Sequence, residues 1–380
     1  DNQTKVYGDA NPTLTATITG FQNSQTTAVL TGTAALSTVA ATGSGVASYA
    51  ITAALGTLAS GNYSFGLIDG ALAVTKAPLT VTADNTTRAY GAANPTFTAT
   101  LTGFVNGETL ATSGISGTAA VTTTATLTSA AGTYLLSPVV GTLTASNYAF
   151  TTFTNGTLTI GQASQTITFG TLANKTYGAA SFTVAATASS SLTPSYSIVS
   201  GPATLSGSTL TLTGAGTVVV RTSEAGDGNY TAATPVDQSF TVAKAMLTVT
   251  ADAKSRVYGA ANPALTATIT GFANGETLAT SGVTGAASVT TTATALTGVG
   301  SATLTAAVGN LVSANYAFAT FTDGALTITK APLTVTANPV GRAYGAANPA
   351  LTATLTGFVN GETLGTSGVT GTAAVTTTAT

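Results

Sequence analysis

One string constrains this chain more than any other. Tyr-Gly-Ala-Ala-Asn-Pro begins at Tyr90, Tyr258 and Tyr344, Tyr-Gly-Asp-Ala-Asn-Pro at Tyr7, and a divergent Tyr-Gly-Ala-Ala-Ser at Tyr177. The spacings are 83, 87, 81 and 86 residues. Lys-Ala-Pro-Leu-Thr-Val-Thr-Ala starts at Lys76 and Lys330, with a Met variant at Lys244, and Asn-Tyr followed by an aromatic two residues on falls at Tyr63, Tyr148 and Tyr316. Arg88–Thr126 and Arg342–Thr380 agree at 34 of 39 positions. A period near 84 is too long for a solenoid coil and fits one small β-sandwich. The expected organisation is therefore a tandem array: 1–76 lacking its first strand, 77–161, a divergent 162–244, 245–330, and a partial 331–380. Because both ends fall inside a repeat, the chain reads as a segment of a longer protein.

Within a unit the pattern is strand, turn, strand. Leu79–Ala83 alternates apolar residues with Thr, as a half-buried strand does. Thr96–Phe104, Ile115–Thr126, Tyr134–Val140, Tyr148–Thr154 and Thr157–Ile160 are the further expected strands. Asn106-Gly107 reads as a tight turn, and Asn155-Gly156, Asp69-Gly70 and Asp323-Gly324 read as hairpin turns. No window keeps a 3.6-residue period. The expected fold class is all-β: a tandem array of Ig-like antiparallel sandwiches forming an elongated rod. Tyr90, Phe104, Leu110, Tyr148, Phe150 and Phe153 are the expected core anchors of the second unit, each worth roughly 1.5–3 kcal/mol when buried.

Composition limits the chemistry. The chain has no His, Cys or Trp, only 6% charged residues and a net charge of −2. That removes Ser-His-Asp and Cys-based catalysis and thiolate or imidazole metal sites. Scattered basic residues leave no electrostatic footprint for nucleic acid. No run of about 20 apolar residues suggests membrane insertion. Asp1-Asn2-Gln3-Thr4 is not a signal peptide, so any such leader has been removed or lies elsewhere. Low charge, absent Cys and abundant Thr and Gly suggest an extracellular bacterial protein. Thr on the outer faces leaves sheet edges without charged guards, which invites self-association.

The residues Tyr-Gly-x-x-Asn-Pro, Gly-Phe-x-Asn-Gly-Glu-Thr-Leu, Asn-Tyr-x-Phe and Lys-Ala-Pro-Leu-Thr-Val together resemble the MBG domain of the YGX type. Units one, two, four and five carry the resemblance. The third, through Tyr196–Thr204 and Ala225–Tyr230, resembles a related bacterial Ig-like repeat. The resemblance implies tandem arrays in large bacterial secreted and surface proteins, adhesin-like, and it brings no catalytic residue.

No catalytic, cofactor-binding or metal residue is assigned. Glu108, Glu276 and Glu362 either ligate an ion, mark an interface, or accept backbone N–H groups as ordinary loop carboxylates, and the last is expected. Arg88, Arg256 and Arg342 are expected to pair with an acid or stack on Tyr. Asp84, Asp252 and Asp323 lie near unit ends without the dense carboxylate set that calcium needs. Asp227-Gly228-Asn229 is a turn, and Thr122–Thr124, Thr290–Thr292 and Thr376–Thr378 are exposed strand Thr rather than an ice- or sugar-binding array. The function expected is a non-enzymatic stalk or spacer whose partners are its neighbouring repeats. A self-assembling fibre, joined by sheet edges or strand exchange, is the alternative, and a carbohydrate- or ice-binding module ranks below both.

Overall fold

The computed structural model describes residues 1–380. It is all-β, with one three-residue 3₁₀ turn at Thr27–Val29 as its sole helical element. Two compact units emerge: Asp1–Gln165 with Ala225–Ala233, and Thr166–Glu224 with Thr234–Thr380.

In the first unit, residues 1–76 build a four-stranded sheet in the order Gln3–Val6, Gly70–Thr75, Ser48–Ala54, Ala35–Thr38. Residues 77–161 build two sheets. One runs Tyr148–Thr154, Ala77–Ala83, Ala99–Thr102; the other runs Thr86–Ala89, Gly156–Gly161, Gly132–Val139, Ala120–Thr122. Ala83 from the first sheet packs with Leu136, Leu158 and Ile160 of the second, and Tyr90, Phe97, Val121 and Tyr134 close over them. In the second unit, Ala267–Thr270, Ala245–Ala251 and Tyr316–Thr322 face a sheet of Lys254–Val257, Gly324–Thr329, Gly300–Ala307 and Ser288–Thr290, repeating that plan. The divergent repeat contributes three small sheets, the largest ordered Lys175–Thr176, Val236–Ala243, Gly216–Ser223, Ser195–Ser200.

The sheets are mixed rather than purely antiparallel. Ala77–Ala83 pairs parallel with Tyr148–Thr154, and Thr86–Ala89 pairs parallel with Gly156–Gly161. The opening stretch of the repeat breaks at Asp84-Asn85 and crosses from one sheet to the other, so each half lies alongside a strand from the repeat's end. Asn155-Gly156 is correspondingly no hairpin: its flanking strands belong to different sheets. Gly is required there by close approach, since a Cβ on Gly156 would sit 2.3 Å from the Ala83 carbonyl oxygen. Gly324 repeats this against Ala251 at 2.4 Å. Asn106-Gly107, by contrast, does turn with both φ positive, 56° and 69°, the conformation that Asn-Gly tolerates best.

Two expected anchors are not core residues. Leu110 is 52% exposed in the turn after Glu108, and Phe153 is 40% exposed. A register shift between Phe150 and Thr152 sets Phe153 opposite Val81, but its strand is at the edge of the three-stranded sheet and the ring stays partly open to solvent. The core instead rests on aliphatic strand residues, with Leu79, Val81, Leu136 and Leu158 essentially inaccessible. The expected strands 96–104 and 115–126 shorten to Ala99–Thr102 and Ala120–Thr122, because Thr-rich alternation continues past the residues that find a ladder partner.

Candidate functional site

At two junctions a single residue separates the last strand of one repeat from the first of the next. Lys76 lies between Gly70–Thr75 and Ala77–Ala83, and Lys244 between Val236–Ala243 and Ala245–Ala251. Each Lys ammonium donates to a carbonyl of the following repeat, Ala145 at 2.8 Å and Ser313 at 2.6 Å. A junction this short leaves the two repeats in contact, and what they bury there is the most specific constellation in the chain.

In the first unit, Tyr7 of the first Tyr-Gly turn inserts against the second repeat. Its hydroxyl donates to Glu108 Oε1 at 2.7 Å, and Tyr148 donates to Glu108 Oε2 at 2.5 Å. The two rings meet edge to face at 5.5 Å, with Phe104 edge-on to Tyr148 at 5.6 Å. Tyr7, Val74, Ala77, Leu79 and Tyr148 form one buried cluster spanning both repeats. Asn147 adds a clamp: its Oδ1 accepts the Val46 amide of the preceding repeat at 3.0 Å. The Tyr-Gly glycine is needed here, as Gly8 has φ +91° and a Cβ would meet Val105 at 2.5 Å.

The second unit repeats this set. Tyr177 and Tyr316 donate to the two oxygens of Glu276 at 2.6 and 2.5 Å, their rings 5.5 Å apart, with Phe272 edge-on to Tyr316. Asn315 Oδ1 accepts the Ala215 amide at 3.0 Å. A third instance is partial: Tyr258 donates to Glu362 Oε1 at 2.6 Å. Where the divergent repeat follows, the Glu is missing. Tyr90 meets Tyr230 edge to face at 5.4 Å, and Asn229 Oδ1 accepts the Ala131 amide at 2.9 Å. The Asn clamp and the Tyr–Tyr contact thus outlast the carboxylate.

Glu108 and Glu276 are hydrogen-bond hubs, each accepting two tyrosine hydroxyls. Burial, then the bond to Glu108, pushes the Tyr148 hydroxyl up to about 12. Tyr316 is likewise held at about 12 by burial and by Glu276. Tyr7 and Tyr177 are raised chiefly by the bonds they donate to Glu108 and Glu276. The neutral tyrosine is the form the joint requires.

The other expected residues are structural, and some differ from expectation. The Glu residues were expected to accept backbone N–H groups; they accept tyrosine hydroxyls from two repeats instead. Arg88 finds neither acid nor ring. It is buried and donates to Asn94 Oδ1 at 2.7 Å and to the Ala89 and Thr126 carbonyls, while Asn94 donates to the Ala125 carbonyl. Arg256 makes the same set with Asn262, Val257 and Thr294, and Arg342 bonds the Ala346 and Thr380 carbonyls. In the first repeat Lys5 takes the position, donating to the Asp9 and Ala41 carbonyls.

Asp84 accepts the hydroxyls of Thr98 and Thr100 at 2.6 and 2.7 Å, which hold its carboxyl below the usual range, and Asp252 is held down by Thr266 and Thr268. Asp323 accepts the Ala306 amide, and Asp227 closes its turn onto the amides of Asn229 and Tyr230. No group of three or more His, Cys, Asp or Glu side chains is placed to hold a metal. Of the Thr runs, the middle residues Thr123, Thr291 and Thr377 accept the amide two positions on, a local turn rather than a flat platform.

These features define an all-β repeat protein in which the first and second repeats, and the third and fourth, share a buried tyrosine–glutamate joint. The profile of the MBG domain (YGX type) matches residues 1–73, 79–159, 247–327 and 333–380, and the chain belongs to that family. The divergent repeat lies between the second and third matches. No curated protein matches the sequence. Among solved structures the chain is similar to Drosophila N-cadherin EC1-4, at 8% identity over 74% of this chain and 83% of that one, with a TM-score of 0.23. It is also similar to the titin fragment I67-I69, at 11% identity over 66% and 96%, TM-score 0.28. The human desmocollin-1 ectodomain follows, at 9% identity over 77% and 70%, TM-score 0.22.

Proposed function

We propose that this chain is a non-enzymatic spacer from a large bacterial surface or secreted adhesin-like protein, working outside the cell as a stalk. In this reading its units are 1–76, 77–161, 162–244, 245–330 and 331–380. The observation that carries the reading is the recurrence of one joint chemistry. Tyr7–Glu108–Tyr148 and Tyr177–Glu276–Tyr316 bury aromatic area and two carboxylate-centred hydrogen bonds at the seam between repeats. A flexible linker would leave the angle between domains free. A one-residue junction backed by shared core opposes bending, because rotation at the seam would expose the tyrosines and strand their hydroxyls.

The partners in this account are the neighbouring repeats. Both oxygens of Glu108 and of Glu276 accept a tyrosine hydroxyl, which supports a mechanical rather than a chemical role. No helix is long and apolar enough to cross a membrane. Negative-stain electron microscopy across a concentration series tests the spacer reading. Isolated particles whose size is independent of concentration support the spacer; ordered filaments that grow with concentration would overturn it.

A further inference from the structure

The seam between the second repeat and the divergent third is built differently from the two tyrosine–glutamate joints. Five residues, 162–166, separate Gly156–Gly161 from Ile167–Phe169, where Lys76 and Lys244 do so alone. Tyr7 and Tyr177 are buried in apolar clusters that span two repeats. Tyr90 is half-buried, and the cluster it packs on, Ala83, Ala125, Leu136, Leu158 and Ile160, belongs to the second repeat alone. The next glycine shows the same contrast. A Cβ on Gly8 or Gly178 would meet Val105 or Ala273 of the following repeat at 2.5 and 2.4 Å, whereas one on Gly91 would meet nothing within 4 Å.

One loop of the third repeat closes this seam. Ala225–Ala233 groups with the first compact unit, while Thr166–Glu224 and the residues from Thr234 onward belong to the second. Asp227 shapes the loop by accepting the Asn229 and Tyr230 amides. The shaped loop sets Tyr230 against Tyr90 at 5.4 Å and Asn229 Oδ1 on the Ala131 amide. Its Asn229 carbonyl accepts the Ala163 amide, and its Thr231 amide donates to the Ala163 carbonyl, both at 2.9 Å. Gln162 and Gln165 donate to the carbonyls of Asp227 and Thr231. Apart from the ring contact these are polar bonds, which water replaces at small net cost. Few buried apolar contacts and hydrogen bonds near solvent mark the segments that open at low free energy.

We propose that Ala225–Ala233 is a clasp, and that the seam it closes is the yielding point of the array. The loop lets go of the second repeat as one piece, before either tyrosine–glutamate joint opens. That gives the array one place to relieve bending or pull without opening a sandwich core.

Native-state hydrogen exchange on the full chain tests this at three matched amides. Val46, Ala131 and Ala215 each donate to the Oδ1 of an asparagine across a seam. After correction for intrinsic rates, Ala131 is expected to exchange faster than the other two by about tenfold or more. Ala163 and Thr231, bonded through the same loop, share its protection factor. Tyr230→Ala removes the ring contact and speeds Ala131, Ala163 and Thr231 together, while Val46 and Ala215 stay unchanged. Ala131 protected as strongly as Val46 and Ala215 overturns the proposal. So do unrelated rates at Ala131, Ala163 and Thr231, or a Tyr230→Ala that speeds Val46 and Ala215 equally. Exchange reads the seam itself, so failure here leaves the particle-size test of the spacer untouched.

Discussion

Replacing Glu276 with Ala removes the acceptor shared by Tyr177 and Tyr316 while leaving the rings in place. Both tyrosines are buried. The Tyr316 hydroxyl still accepts the Ala273 amide at 2.9 Å, but its own proton loses its acceptor, as does that of Tyr177. A buried polar group left unsatisfied costs about 1–3 kcal/mol, so two give roughly 2–6 kcal/mol, with the lower half expected because the cavity left by Glu admits water. The loss falls on the seam, since Leu304 and Leu326 belong to a separate buried cluster that contains neither tyrosine. Native-state hydrogen exchange reads it at the Ala215 amide, which closes the joint onto Asn315. An opening free energy lower by about 2 kcal/mol speeds that exchange about thirtyfold. The Val46 amide, in the intact Glu108 joint, serves as an internal control and stays unchanged. If Ala215 exchanges no faster, or Val46 accelerates equally, the carboxylate does not hold the seam and the reasoning fails.

Alkaline pH provides a second probe. Tyr7, Tyr148, Tyr177 and Tyr316 titrate above the unfolded value near 10, up to about 12 for Tyr148 and Tyr316. Their stabilisation is therefore complete below pH about 10 and lost as pH rises toward about 12. With 12 Tyr and no Trp, tyrosinate absorbance resolves a late-titrating class, and a single transition near 10 would contradict it. Arg256→Met strands the Thr294 and Val257 carbonyls and Asn262, costing about 2–3 kcal/mol in urea unfolding. Arg256→Lys costs less than half of that, because Lys5 already fills the equivalent place; equal losses would refute the assignment. Gly156→Ala forces a Cβ against the Ala83 carbonyl and destabilises by about 1–3 kcal/mol, whereas Ala at Gly161, where the Arg88 carbonyl lies 3.9 Å away, is tolerated.

The repeats and the all-β class were legible because each rests on local pattern: Leu79–Ala83 alternates, Asn106-Gly107 turns, and Tyr-Gly-Ala-Ala-Asn-Pro recurs. Strand partners were not. Nothing between Leu79 and Phe150 announces a parallel pairing, because it depends on a chain crossing at Asp84-Asn85 that neither residue type dictates. Gly156 carries the signature of a hairpin while serving a close contact between sheets. The joint was half visible. Glu108, Tyr7 and Tyr148 were each singled out as recurrent, but the link among them runs over about a hundred residues and joins different repeats. The first repeat held a clue, since Gln25 stands at the Glu position and accepts the Tyr63 hydroxyl there, as Glu108 accepts that of Tyr148.

The central claim is that the joint fixes one repeat against the next. Because the chain has no Cys, Ser37→Cys and Thr122→Cys place two nitroxide labels on exposed strand positions of the first and second repeats. Pulsed electron paramagnetic resonance then gives the distance distribution across the Tyr7–Glu108–Tyr148 seam. The account predicts one narrow peak that broadens when Glu108→Ala is added. A broad distribution before the substitution, or a narrow one untouched by it, would contradict a joint-stiffened array.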